Sequence, residues 1–339
     1  MRSTIRAADE PAAMKPAAMF LSRRAALASL AALALPVRAQ PWPARPLRII
    51  VPYPTGGISD LVARALGDRL AARLGQAVIV ENKAGASGTI GMDALAKAAP
   101  DGYTLAFSAI SPLSLTPVLT KVPYDPERDF TPVASVMMSP VLLLATSASA
   151  ARDFRELLAR ARDWPDTVRW ATSGQASLGH LMLEQLQAAA KVRVVHIPYK
   201  GGGQQITDAL SGQFEVLSVN AGPGLMDIIR TGRLRPLAVG APRRLDSLPQ
   251  VPTLAELGYP AANLASHFGV FAPGNLPLRL LDRLNSEVNA ALDHPDLRGR
   301  MLASENVPTG GTAREFARQI AAETDSTVRI VRAANIKAE

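Results

Sequence analysis

The residues with most to offer chemically lie in short loops rich in glycine and hydroxyl side chains, each following an apolar, β-branched run. Tyr53-Pro54-Thr55-Gly56-Gly57-Ile58-Ser59-Asp60 follows Leu47 to Val51, and Ala84-Gly85-Ala86-Ser87-Gly88 follows Ala77 to Glu81. Ser108-Ala109-Ile110-Ser111 closes a third such run. Thr172-Ser173-Gly174-Gln175-Ala176-Ser177 and Tyr199-Lys200-Gly201-Gly202-Gly203 repeat the pattern later in the chain. Glycines let backbone N–H groups converge where a helix starts, and there the unpaired donors and the positive end of the helix dipole favour an anion. Donors and hydroxyls from two opposed sets of loops suit a carboxylate, which accepts hydrogen bonds on both oxygens. One such loop alone is an ordinary turn. Recurrence after successive strands is what points to a site.

Single residues in these loops carry two readings each. Asp60, next to Ser59, either serves the helix N-terminus and pairs with Arg64 at i+4, or meets a ligand amine. Lys200 offers a positive charge to an anion or is simply solvated, and His180, near the first turn of a helix, either packs or touches ligand. Enzyme chemistry has thinner support. Ser177 lies three residues before His180, but Gly174-Gln175-Ala176-Ser177-Leu178-Gly179 has one residue too many for a G-x-S-x-G nucleophile elbow. Gly85 to Gly91 lacks the G-x-G start of a dinucleotide fingerprint, and there is no P-loop. A secreted α/β hydrolase using Ser177 with His180 is the enzymatic alternative. The histidines at 180, 196, 267 and 294 show no paired metal spacing, and a chain without cysteine has no disulfide, thiolate metal site or cysteine nucleophile. Neither metal nor cofactor is expected.

The elements that must position these loops alternate. A chain of 339 residues, 48% hydrophobic and 19% charged, is long enough for two domains. The first strand is followed by an amphipathic helix with Val62, Leu66 and Leu70 on one face, stopped at Gly75. A helix from Thr89 to Ala99 and a strand from Tyr103 to Ser108 come next. Alternation at this spacing predicts a parallel sheet with right-handed crossovers. Phe130 to Thr146 breaks the rhythm and reads as a strand pair passing between domains. Then follow helix Phe154 to Ala161, strand Val168 to Thr172, helix Leu178 to Ala190, strand Val192 to Pro198, helix Gln204 to Leu210, strand Phe214 to Val219, helix Leu225 to Arg230 and strand Leu234 to Val239. A Pro-rich stretch with a short helix near Leu254 leads to Phe268 to Ala272, a second candidate crossing, and the remainder is helical. A chain that leaves one α/β lobe, builds another and returns makes a two-lobed molecule with a two-segment hinge. The lobes are expected at 40–140 with 265–339, and at 141–264.

Ahead of this, Leu21-Ser22-Arg23-Arg24, an apolar run from Ala25 to Leu35 and Val37-Arg38-Ala39 read as a signal peptide over 1–39, cleaved before Gln40, with the general secretory route favoured over the twin-arginine one. Met19 is an alternative start. A periplasmic protein is expected. Residues 1–39 hold six Lys and Arg and two Asp and Glu, leaving +4 of the formal +8 on the rest. That excess suits small anions or plain solubility, and no basic run interleaved with aromatics points to nucleic acid.

Taken together, the residues resemble the periplasmic receptors of tripartite tricarboxylate transporters, the Bug family. The resemblance rests on Val51-Pro52-Tyr53-Pro54 with Gly56-Gly57 and Asp60, Val80 to Ala86, Ala98 to Leu105, Pro123 to Pro126 with Asp129-Phe130, His196 to Gly202, Val251-Pro252-Thr253 and Phe268 to Pro273. It implies a two-lobed type II periplasmic binding fold, a Venus flytrap that closes on a small carboxylated solute and delivers it to membrane permease subunits, as a monomer and without catalysis. A receptor reporting to a sensor partner is the other reading. The loops Tyr53 to Asp60 and Ser173 to His180 would hold one carboxylate, with Tyr199 to Gly202 also lining the cleft. The implied ligand set is Tyr53, Thr55, Gly56, Gly57, Ser59, Asp60, Ser108, Ala109, Ser173, Gly174, Ala176, Ser177, His180, Tyr199, Lys200, Gly201, Asn220 and His267. Departures from the family pattern concern the ligand. Ile58-Ser59 replaces a small Ser-Thr pair, Ala176 a glycine, Val219 a common aspartate and His267 a common tryptophan.

Overall fold

The computed structural model describes residues 42–333. The signal peptide, its cleavage before Gln40 and the alternative start at Met19 lie outside the described residues.

The chain opens with strand–helix units. β1 (Leu47–Val51) is apolar and almost wholly buried, and α1 (Ile58–Leu74) ends at Gly75, whose φ of 67° lets its N–H turn back to the Ala71 carbonyl. β2 (Val78–Asn82), α2 (Thr89–Ala96) and β3 (Thr104–Ala109) follow, then two single-turn helices, α3 (Ser111–Ser114) and α4 (Thr116–Leu119). β1 pairs in parallel with both β2 and β3, as helical crossovers require.

β4 (Phe130–Ala145) is one strand of 16 residues rather than the pair its prolines suggested. Pro132 sits at a register shift and Pro140 where the strand changes partners, the positions at which a missing N–H is tolerated. Beyond it come α5 (Phe154–Asp163), β5 (Arg169–Thr172), α6 (Leu178–Ala190), β6 (Val195–Pro198), α7 (Gly202–Leu210), β7 (Val216–Asn220), α8 (Pro223–Arg230) and β8 (Arg235–Gly240). The expected helix near Leu254 is a turn, followed by a 3₁₀ turn at Pro260–Ala262, because Pro252, Gly258 and Pro260 interrupt any longer helix. β9 (Ala265–Pro273), α9 (Leu278–Leu292), α10 (Pro295–Ala303), a two-residue β10 (Val307–Pro308) and α11 (Ala313–Ala333) complete the fold.

Strand order is β2-β1-β3-β9-β4-β7-β5-β6, with β8 and β10 also on β4. The sheet is therefore not wholly parallel. β4 pairs antiparallel with β9 from Phe130 to Pro140, and with β7 and β8 from Val141 to Ala145. One long strand thus belongs to two sheets, and the fold is two-lobed α/β. Each sheet has its own core: Ile50, Met92, Phe130, Phe271 and Phe316 pack in the first lobe, and Trp170, Leu183, Leu186, Leu217 and Phe214 in clusters of the second. Among the described residues no helix is long and apolar enough to cross a membrane, and no group of acidic, histidine or cysteine side chains is placed to hold a metal.

Candidate functional site

The loop from β1 into α1 is held from behind by Asp60. Its side chain is buried, Oδ2 accepts the Gly56 N–H at 3.0 Å, and Arg64 Nη2 lies 2.8 Å from Oδ1 as an ion pair. Burial pushes the Asp60 carboxyl up, but the Arg64 guanidinium and the Gly56 N–H outweigh it and hold it below the usual carboxylate range. Asn82 braces the same corner, accepting from Arg64 at 2.9 Å and donating to the Tyr53 carbonyl at 3.1 Å. Asp60 is thus a strut, and the Gly56 N–H is committed to it. Tyr53 stands over β3 with its hydroxyl 3.5 Å from Ser108 Oγ, and burial raises its pKa.

The loop from β5 into α6 is held by an imidazole instead. Ser177 caps α6 by accepting the His180 N–H at 3.3 Å, and His180 Nδ1 accepts the Ala176 N–H at 3.2 Å. His180 Nε2 faces Glu184 at 3.5 Å, and the ring stacks on His196 with centroids 4.2 Å apart and planes within 5°. Both imidazole nitrogens of His180 are directed at groups other than the Ser177 hydroxyl, which corrects the hydrolase alternative: this pair is a helix cap and a loop brace, not a nucleophile and its base. His196 hydrogen-bonds Thr172 Oγ1 through Nε2 at 2.7 Å. Burial, and then the repulsion of charge on His180, lower its pKa to about 4, so it is neutral at physiological pH.

Two more helix starts complete the cleft. Gln205, fully buried, donates to the carbonyls of Ala171 at 2.9 Å and Ser218 at 3.0 Å and so fixes α7 over β5 and β7. Gly222, at the end of β7, is the N-cap of α8. The lobes touch here. A Cβ on Gly201 would lie 2.5 Å from Pro54 Cδ, one on Gly174 2.5 Å from Ser87 Oγ, and one on Gly222 3.7 Å from Ile58 Cβ. The Ser87 hydroxyl, from the first lobe, donates to the Gln175 carbonyl of the second. The cavity between these loops measures about 280 Å³.

Of the implied ligand set, Tyr53, Gly56, Gly57, Ser59, Ala109, Ser173, Ser177, Gly201 and Asn220 line this cavity, as do Ile58 and Val219 among the departures and Ser87, Ser111, Gly202 and Gly203 of the loops. The rest of that set does not. Asp60 and His180 brace the loops from behind, Ala176 supplies the N–H that His180 accepts, and Gly174 packs on Ser87. Ser108 lies beneath Tyr53, Thr55 is exposed beside Gly203, and Lys200 is exposed. Tyr199 turns to Asp208 at 2.8 Å and packs on Phe214, burial and Asp208 raising its pKa to about 12. His267 points to Glu323 at 3.2 Å on α11 because residues alternate along β9: Ser266 and Phe268 face the cavity, so His267 faces away. Sequence reasoning missed Val141, Ser218, Ile206, Leu225 and Ile228, which lie inside strands and helices rather than in the glycine loops, and the Gly222-Pro223-Gly224 start of α8. That last stretch repeats the strand, glycine, helix signal of the other loops.

A model described as the tripartite tricarboxylate transporter family receptor matches residues 62–336. A UPF0065 protein of Bordetella bronchiseptica is 38% identical over 296 residues, covering 86% of this chain and 84% of its own. Protein BugT of Bordetella pertussis is 36% identical over 309 residues, covering 91% and 94%. Among solved structures, one of a periplasmic transporter superposes with a TM-score of 0.84 at 34% identity, over 88% of this chain and 100% of its own. An R. palustris protein with adipate superposes at 0.82 and 31% identity, over 87% and 99%. The chain belongs to the tripartite tricarboxylate transporter receptor family.

Proposed function

We propose that this protein is a periplasmic solute-binding receptor that captures a small carboxylate between its lobes and delivers it to the permease subunits of a tripartite tricarboxylate transporter. One observation carries the reading. Four helices, α1, α6, α7 and α8, begin at the cavity, two lobes contribute them, and hydroxyls of Tyr53, Ser173 and Ser177 stand among their N-terminal donors. The adipate-bound relative supports the chemical class.

In this reading residues 40–140 and 265–339 move as one lobe, and 141–264 as the other, about the crossings in β4 and ahead of β9. Ligand contacts favour the closed arrangement over the open one, and a monomer exported by its leader presents that arrangement to the membrane components. Binding rather than turnover is its work, and His180 and Asp60 serve it by shaping the loops.

A thermal-shift screen of mono-, di- and tricarboxylates, aromatic acids and acidic amino acids tests the proposal, since a ligand bound only by the folded state raises the melting temperature. At least one carboxylate should raise it. If every carboxylate leaves it unchanged while the protein hydrolyses an ester, the receptor reading is lost.

A further inference from the structure

We infer that Ser266 and Asn220, with Ser139 beneath them, form a second subsite on the floor of the cavity and recognise an oxygen-bearing far end of the ligand through uncharged hydrogen-bonding groups. The inference rests on the receptor reading above. Strand register brings these residues together from β9, β7 and β4. Ser139 on β4 pairs with Ser266 on β9, and two positions further along β4 Val141 pairs with Asn220 on β7. Residues directly opposite in an antiparallel pair share a face, as do residues two apart on one strand, so these four lie on one face. It is the cavity face, because Val141, Asn220 and Ser266 line the cavity.

Hydrogen bonding sets the group apart from its polar neighbours. Ser218, two positions before Asn220 on β7, is engaged: its Oγ accepts from Trp170 Nε1 and donates to the Gly179 carbonyl, both at 3.3 Å. Ser177 caps α6 and Ser87 donates to Gln175. In contrast, among the described residues neither Ser139 Oγ, fully buried, nor Ser266 Oγ, in a residue only 7% exposed, has a hydrogen-bond partner. Asn220 donates through Nδ2 to the Ser139 carbonyl at 3.4 Å, and its Oδ1 is unpaired. A buried polar group left unpaired is destabilising, and three at one place are accounted for if a ligand completes them. All three are neutral, and among the described residues no Lys, Arg or His lines the cavity. The subsite therefore selects by hydrogen bonding rather than by opposite charge. A serine hydroxyl both donates and accepts, so a hydroxyl or a carboxylate oxygen suits it, whereas a methyl leaves all three groups unpaired. A site built to hydrogen-bond an oxygen rejects the analogue that lacks it more strongly than an apolar pocket rejects an added group. The helix starts and loop hydroxyls remain for the first carboxylate.

Calorimetry on the exported full chain tests this with acids of matched length that end in a methyl, a hydroxyl or a second carboxylate: butyrate, 4-hydroxybutyrate and succinate; hexanoate, 6-hydroxyhexanoate and adipate; octanoate, 8-hydroxyoctanoate and suberate. At the best length the hydroxyl-ended and carboxylate-ended acids should each bind at least about tenfold tighter than the methyl-ended one. Ser266→Ala and Asn220→Leu should each shrink that advantage about fivefold. Ser266→Ala should not lower the melting temperature of the ligand-free protein, since its hydroxyl has no bond to lose. A methyl-ended acid equal to either of its partners would overturn the inference and leave the receptor reading standing. So would a Ser266→Ala variant that weakens all three acids alike or melts earlier, which would make the hydroxyl a structural group. No binding by any of these acids would sink both.

Discussion

Between β1 and α1 the cavity loop is braced by a carboxylate, whereas between β5 and α6 the equivalent brace is an imidazole. Asp60 reaches back four residues to the Gly56 N–H, and His180 reaches back four residues to the Ala176 N–H. Spacing and task are alike, and the chemistry is not. Asp60 carries its charge against Arg64, so its grip lasts as long as it is ionised. His180 accepts only while Nδ1 is unprotonated, and it is stacked on a second ring that burial keeps neutral. The backbones differ too: the first loop turns through Gly56 at φ 82°, which glycine adopts freely, and the second through Ala176 at φ 56°, which alanine does not. A loop can be shaped equally well by charge or by packing, but the two respond differently to acid and to substitution.

The comparison can be broken at the carboxylate first. Asp60→Ala should cost about 2–3 kcal/mol in urea unfolding, since it removes a charge-assisted bond to the Gly56 N–H and leaves Arg64 without its carboxylate. Because the folded carboxyl lies below its unfolded value, this stability is present above about pH 4 and is lost as pH falls through the folded pKa, so Asp60→Asn should flatten the acid limb of the stability curve. The imidazole side should titrate in a different window. His196 falls from 6.5 unfolded to about 4 folded, so the unfolded chain binds more protons between those values and stability rises with pH across them. The expected rise is about 2 kcal/mol after allowing for partial exposure, and His196→Phe, which keeps a ring on His180, should abolish it. A smaller effect belongs to the bond the two lobes share. Ser87→Ala should weaken binding of a carboxylate ligand about fivefold in calorimetry, or roughly 1 kcal/mol, because the Ser87 hydroxyl donates from one lobe to the Gln175 carbonyl of the other. Smallest of all, Ala176→Gly should stabilise by about 0.5 kcal/mol, the relief of the left-handed strain (~1–2 kcal/mol) less the added entropy of glycine unfolded (~0.5–1 kcal/mol). A loss on that substitution would mean the Ala176 methyl contributes more by packing than it costs in strain.

The local plan was legible because it is written in neighbours along the chain. Apolar runs, the Gly75 stop and the glycine loops each depend on residues a few positions apart, and those elements stand where the sequence puts them. Registers between distant strands are another matter. The mixed sheet and the single strand through Phe130–Ala145 depend on partners far away along the chain, in β7 and β9. The facing of His267 was hidden for the same reason: alternation along a strand is visible in sequence, but which of its two faces meets the cavity is decided by the sheet around it.

By itself, then, the sequence determined that loops with anion-seeking N–H groups follow successive strands, that their carriers are two α/β lobes, and to which family the pattern belongs. Only the tertiary structure decided which of those loops meet, that Asp60 and His180 stand behind them rather than on the cavity wall, and that the walls lining the cavity are uncharged. The reason is physical. Capping and turning are settled by groups within four residues of one another, whereas a cleft is made by surfaces whose residues lie far apart in sequence and meet only when the chain has folded.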